Sequence, residues 1–357
     1  MKKLLILVLA FSFIYNLNSQ TSWKKSNTIN CKKLPAENYI EYQRGITKAE
    51  NLMFDSLFHE SVKQYKTTFD SYSFNFPRDC MIAAQAATYI EDNASALYFL
   101  KKAVRFGVTK EHLRRIRLFE KLSDNTFQLL FMEYDSLRNE YFSNLNLPYR
   151  ELCNELRLKE QALHAKDQGV VNGRFTDNAF FSTNRYLVWK PSIRKEWQNY
   201  CLKAVETIDS LIPQYGFPSY RTIGVVDSVT FTNKALSSCQ ILMIYYHYLP
   251  YKKSTIDMSI LYNEVVKGNL SARDYATMYE FYLRKSAKYR KNKSLYYVRW
   301  DVPPIPDKIY PNEDVANINR EEIGLSNCYY ERVRKLWQHD YYNNKPYSFE
   351  LFYYDYF

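Results

Sequence analysis

The chain has 357 residues, with 49 Lys plus Arg against 38 Asp plus Glu, a formal net charge of +11, and 46% of its residues are hydrophobic. That is ample apolar material for a core and too long a chain for one small one, so two domains are expected. The basic residues are interleaved with acidic ones, as in "KEHLRRIRLFEKLSD", and no segregated basic run supplies the electrostatic footprint of a nucleic-acid binder, so no nucleic-acid partner is expected.

Residues 1–19 read as a secretory signal. Lys2 and Lys3 precede the apolar run "LLILVLAFSFI", and "LNS" ends in a small residue before Gln20. The run is shorter than the roughly 20 residues that cross a bilayer, so cleavage near Ser19 and a periplasmic or extracellular location are expected. No later segment approaches spanning length, and no membrane span is expected in the mature chain. Residues 20–48 read as an N-terminal extension. Export permits disulfides, but the six cysteines at 31, 80, 153, 201, 239 and 328 are widely spaced, and at most one or two bridges are expected. There is no C-x-x-C or H-x-x-x-H pair and the five histidines are scattered, so the pattern predicts neither a metal site nor a cofactor.

From Ala49 to about Leu145 the pattern is helical, and residues 49–147 read as a helical-repeat domain. In "PRDCMIAAQAATYIEDNASALYFLKKAVRFGV" the small residues Ala83, Ala84 and Ala87 line one helix, Asp92 and Asn93 turn the chain, and Ala96, Leu100 and Ala103 line the next. The segment resembles a tetratricopeptide repeat, and Val62 and Phe69, 34 residues upstream of Ala96 and Ala103, mark a degenerate preceding unit. Pro148 in "NLP" marks the expected boundary to a second domain, 148–340.

That domain opens with "YRELCNELRLKEQALHAKD", a helix with Leu152, Leu156 and Leu163 on or near one face, followed by a loop from Gln168 to Asn184. Helical spacing resumes through Trp197, Cys201, Ala204, Ile208 and Leu211. It is expected to stop at Ile212, where Pro213, Gly216 and Pro218 break it in succession. Helices are predicted over about 233–248, over about 255–267 ending at Gly268, and from a Ser271/Asp274 capping box to about Tyr289. The only strand candidates, "RTIGVVDSVTF" and "LYYVRW", are short, and "RWDVPPIPDKIYPNED" is too Pro-rich for regular structure. The aromatic tail, 341–357, is expected to dock on the second domain, since leaving it in water would expose a large apolar patch. The expected class is mainly α: a helical-hairpin array followed by a mostly helical domain with at most short strands.

Read together, Asp167-Gln168, the turn Tyr215-Gly216-Phe217-Pro218, His247 in "MIYYHY", "SARDYATMYEFYLRK", "LYYVRW" and Arg320 with Gly324-Leu325 in "NREEIGL" follow one order. In that order residues 155–335 resemble an uncharacterised family of bacterial exported domains of unknown function, whose members carry DQ, YG(W/F)P, QH, A-x-x-DR, YGTQ and R-x-x-x-GL elements. Three polar elements depart from it: Tyr246 stands before His247, Tyr279-Glu280 replaces Asp-Arg, and Tyr296-Tyr297-Val298-Arg299 replaces YGTQ. The resemblance implies candidate positions and no chemistry.

No G-x-S-x-G, G-x-G-x-x-G or phosphate loop occurs. Two functional readings lead, ahead of a cell-envelope protein held to anionic surfaces by its net positive charge. The first is a non-enzymatic binding or scaffold protein that takes a protein or peptide in its helical-repeat groove, with Gln168, Tyr215, Gly216, Phe217 and Pro218 as binding or turn residues. The second is a hydrolase-like or transferase-like enzyme whose Asp167, His247 and Arg320 converge as carboxylate, imidazole and guanidinium in one pocket.

Overall fold

Small residues at helical spacing let helices approach closely, and the structure follows that rule from its first hairpins. The computed structural model describes residues 37–172, 191–225, 238–249, 256–283, 295–296, 312–343 and 349. The proposed signal segment, the Pro-rich 301–311 and the tail other than 341–343 and Phe349 lie outside the described residues. Among the described residues the chain is helical and holds no strand. Residues 221–223 of the first strand candidate form a turn, and Leu295-Tyr296 of the second a bend.

Two hairpins begin the fold: α1 (Tyr39–Phe54) with α2 (Phe58–Asp70), and α3 (Pro77–Tyr89) with α4 (Asn93–Arg105). Ala83, Ala84, Ala87, Ala96, Leu100 and Ala103 are all fully buried between helices, with Asp92 capping α4 by accepting from the Ser95 amide. Then come α5 (Lys110–Arg115), a short 3-10 turn, and α6 (Asp124–Ser143), which lies on α4.

α1 is more than the extension that residues 20–48 suggested. It begins at Tyr39, ahead of the alternation visible from Ala49, and its opposite faces serve different neighbours. Tyr42 and Ile46 join the first core cluster while Ile40 joins the second. The Thr47 hydroxyl donates to the Gly324 carbonyl at 2.7 Å, and a Cβ on Gly268 would lie 2.5 Å from the Tyr39 ring.

The second cluster is built from α7 (Leu147–Asn172), α8 (Pro191–Tyr215), α9 (Ser238–Tyr248), α10 (Met258–Val266) and α11 (Ala272–Leu283), with α7, α8 and α9 mutually in contact. Both clusters belong to one compact unit, Asn38–Phe357. Pro148, read as a boundary, sits in the first turn of α7, where its missing N–H costs nothing. The helix runs on through Asp167 to Asn172, past the point where the sequence suggested a loop.

α12 (Glu313–Glu322) and α13 (Cys328–Tyr342) return the chain to α1. Phe349 is buried against Phe58, Tyr89 and Trp337. Phe349 of the tail thus packs on α2 and α3 of the first hairpins and on Trp337 of α13, which falls within residues 148–340. Cys80, Cys153, Cys201 and Cys328 are free, buried thiols; Cys31 and the Cys239 side chain lie outside the described residues.

α8 does not stop at Ile212. Pro213 sits inside its last turn and the helix continues to Tyr215, ending where Gly216 takes φ +77°. The following Phe217 amide donates to the buried Glu264 carboxylate at 2.8 Å, which also accepts from Asn269, and the Phe217 ring packs on Tyr245. The aromatic turn is thus a joint between α8 and the end of α10. Gly216→Ala would force a Cβ to 2.4 Å from Asn269 Nδ2 in a left-handed conformation. Destabilisation of about 1–2 kcal/mol from the backbone alone is expected, read as a lower urea midpoint with unchanged slope.

Candidate functional site

Heptad-like spacing on α7 puts Cys153, Arg157, Glu160, His164 and Asp167 on one face, and this face turns inward toward α8 and α9. The leucines expected to lead the buried stripe are displaced: Leu152 and Leu156 are half-buried, while Glu160 and Asp167 are 1% and 2% exposed. A buried carboxylate must find donors or cations. Asp167 finds Arg194 at the start of α8, in a two-pronged contact with Nη2 to Oδ2 at 2.8 Å and Nε to Oδ1 at 3.1 Å.

Glu160 finds different partners. Its Oε1 accepts from the Trp197 indole N–H at 2.8 Å and is 2.7 Å from His247 Nδ1. His164, one turn along α7 from Glu160, stacks on Trp197 with centroids 4.7 Å apart and faces His247 at 4.5 Å. Burial, and after it the neighbouring His247, holds the His164 imidazole less basic than an ordinary histidine. The two imidazoles are half-buried and border the solvent, while the carboxylate beneath them is sealed. One ligating atom from each of Glu160, His164 and His247 falls within 4.8 Å of the others.

The three residues singled out from sequence do not converge. Asp167 and His247 belong to this region, although His247 is bonded to Glu160 and not to Asp167. Arg320 belongs to another network among the described residues. It is fully buried, donating through Nη1 to the Tyr296 carbonyl at 2.5 Å, through Nε to the Ser326 carbonyl, and through Nη2 to Glu331 at 2.9 Å. Arg273 forks onto the same Glu331 with bonds of 2.9 and 2.8 Å. In place of a convergence of Asp167, His247 and Arg320, the structure brings together Glu160, His164 and His247. The Gln168 side chain lies outside the described residues, and Tyr215, Gly216, Phe217 and Pro218 form the joint described above.

Sequence reasoning missed Glu160, His164 and Trp197. A signal was present: Glu160, His164 and Asp167 stand at i, i+4 and i+7, which aligns three titratable groups on one face. The scattered histidines concealed the rest, because His164 and His247 meet only when α9 packs across α7. With this geometry in hand, comparison with protein-family models, curated proteins and solved structures gives no match.

The Arg320 network gives a stability prediction. Burial would raise the Glu331 carboxyl, but Arg273 and Arg320 beside it pull it well below the usual range. A depressed native value contributes stability at pH above the unfolded value, near 4.3, and loses it as pH falls below that. Stability of the chain is expected to decline progressively as pH falls below about 5, and Glu331→Gln to show a flatter decline from a lower plateau. Arg320→Met should cost about 3–5 kcal/mol at pH 7, measured by chemical denaturation.

Proposed function

We propose that the protein is an exported, mainly helical protein whose working centre is the Glu160–His164–His247 cluster, acting as a hydrolase-like acid–base site. One observation carries the reading: a carboxylate sealed in the core and fixed by an indole N–H is bonded to one nitrogen of a half-buried imidazole. Such a pair fixes the tautomer and leaves the far nitrogen of His247 to take a proton from water or a substrate hydroxyl. His164 supplies a second imidazole 4.5 Å away, suited to returning a proton to a leaving group. No nucleophilic Ser or Cys is bonded to His247 among the described residues, so the reading is water activation, not a covalent intermediate. The resemblance to exported domains of unknown function supports His247 as the shared position and brings no activity with it.

A second reading, recognition of a peptide or protein by the helical-hairpin layer, is favoured by Leu129 and Met132 of α6. They stand three residues apart, and Met132 is 81% exposed. A panel of chromogenic esters, phosphodiesters and peptides separates the two. The hydrolytic reading predicts turnover of one class that falls at least about 100-fold in His247→Gln with the fold intact by circular dichroism. Turnover unchanged in that variant, or absent across the panel, would instead leave the binding reading.

A further inference from the structure

The most deeply buried carboxylates among the described residues follow a rule. Glu50 meets Arg78 and Arg334, Asp79 meets Arg78, Asp167 meets Arg194, Glu264 meets Lys267, and Glu331 meets Arg273 and Arg320. Each of these acids is 3% exposed or less and has an Arg or Lys at ion-pair distance. Glu160, at 1%, is the exception among them: its partners are an indole and an imidazole. Arg157, one turn before it on α7, spends its Nη1 on Gln161 at 3.2 Å. Arg157 acts on Glu160 through its charge, while the hydrogen bonds to the carboxylate come from an indole and an imidazole; with a second imidazole alongside, that set of donors suits a cation held by Glu160, His164 and His247.

We infer that Glu160, His164 and His247 bind one divalent transition-metal ion, zinc in the first instance, with a further coordination position open to water. This deepens the acid–base reading and rests on the same residues: with the ion bound, the Glu160–His247 hydrogen bond gives way to two metal contacts, and an ion-held water takes the place of the water that His247 would activate. Two imidazole nitrogens and one carboxylate oxygen form a zinc ligand set of the catalytic kind, whereas magnesium and calcium prefer oxygen alone. Glu160 and His164 project from one helix face a turn apart, and His247 comes from a different helix, so the donors surround a point and do not lie in a row. The separations suit the ion. Ligands about 2.1 Å from a tetrahedral metal stand about 3.4 Å from one another. The three candidate atoms already lie within 4.8 Å, and the 2.7 Å contact between His247 and Glu160 would need to open slightly.

The surroundings match as well. The Trp197 N–H holds the carboxylate, its ring backs His164, and the Asp167–Arg194 clamp fixes the next turn of α7 against α8. Outer contacts of that sort orient ligands and hold a site in shape. The ion would enter from the histidine side, which is the side bordering solvent. Bound there, it would polarise a water between the imidazoles, the same region that the acid–base reading assigns to substrate.

The test uses the full chain without a polyhistidine tag, stripped with chelator and titrated with zinc chloride by calorimetry at neutral pH. One zinc per chain is expected, accompanied by a rise in Tm. His164→Phe, which retains a ring against Trp197, and Glu160→Gln, which retains an acceptor for the indole, should each weaken binding at least about 100-fold, beyond the loss typical of an outer contact. Absence of saturable zinc binding by the wild-type chain would overturn the inference, as would affinity undiminished in both variants or equal affinity for magnesium. Cobalt(II) on the wild-type chain decides without any variant: intense visible bands of a four- or five-coordinate centre support the site, and only the weak bands of octahedral cobalt overturn it. The titration reads binding alone. Turnover without zinc binding would sink the metal and spare the acid–base centre, and zinc binding by a chain inactive on the panel would do the reverse.

Discussion

A carboxylate removed from water is the constraint around which this fold is arranged. Glu50 on α1 ties to Arg78 on α3 and Arg334 on α13, and Glu331 on α13 ties to Arg273 on α11 and Arg320 on α12. These contacts carry the last helices back onto the first, over sequence separations that hydrophobic periodicity cannot specify. Burying such ions is costly, and well-packed apolar residues of similar volume often do as well or better for stability. What paired ions add is direction: a guanidinium fork accepts a carboxylate in few orientations, which fixes how one helix crosses another. Removing one partner leaves a charge stranded, so the network is more demanding than its net contribution suggests.

The same constraint explains why α7 differs from an ordinary amphipathic helix. Its deepest positions include Arg157, Glu160 and Asp167, where leucines would be the cheaper filling. Asp167 is answered by a guanidinium and behaves as a staple between α7 and α8. Glu160 is answered by Trp197 and His247, whose rings also enclose His164. Two carboxylates two turns apart on one helix thus have different environments: Asp167 is gripped by the Arg194 fork, and Glu160 is bonded to an indole and an imidazole. Arrangements of that kind are characteristic of groups kept for chemistry or for a ligand.

Much of the fold was legible in the sequence, for reasons that individual residues make plain. Ala83, Ala87, Ala96 and Ala103 announce closely packed helices because nothing larger fits there. Asp92, Ser271 and Gly268 mark ends because their side chains, or the lack of one, satisfy backbone geometry locally. Features that depend on distant partners were hidden. The aromatic turn looked like a stop, yet Pro213 is accommodated in the last helical turn and Glu264, 47 residues away, receives the Phe217 amide. Phe349 packs on Trp337 of the expected second domain, but its contacts with Phe58 and Tyr89 of the first hairpins could not be read from the sequence. The candidate site was half legible: Asp167 and His247 were identified, but Glu160 entered only once α9 was seen to cross α7, and Arg320 proved to belong elsewhere.

At the centre of this account is a point between Glu160, His164 and His247. Crystals grown with zinc and measured on both sides of the zinc absorption edge address it directly. The account predicts one strong anomalous peak in each molecule, within about 2.0–2.2 Å of one atom from each of the three side chains, with a water or buffer atom completing the shell. A crystal saturated with zinc that shows no peak there, with Glu160 still bonded to His247 and Trp197 alone, would contradict it and leave the cluster as a joint between three helices.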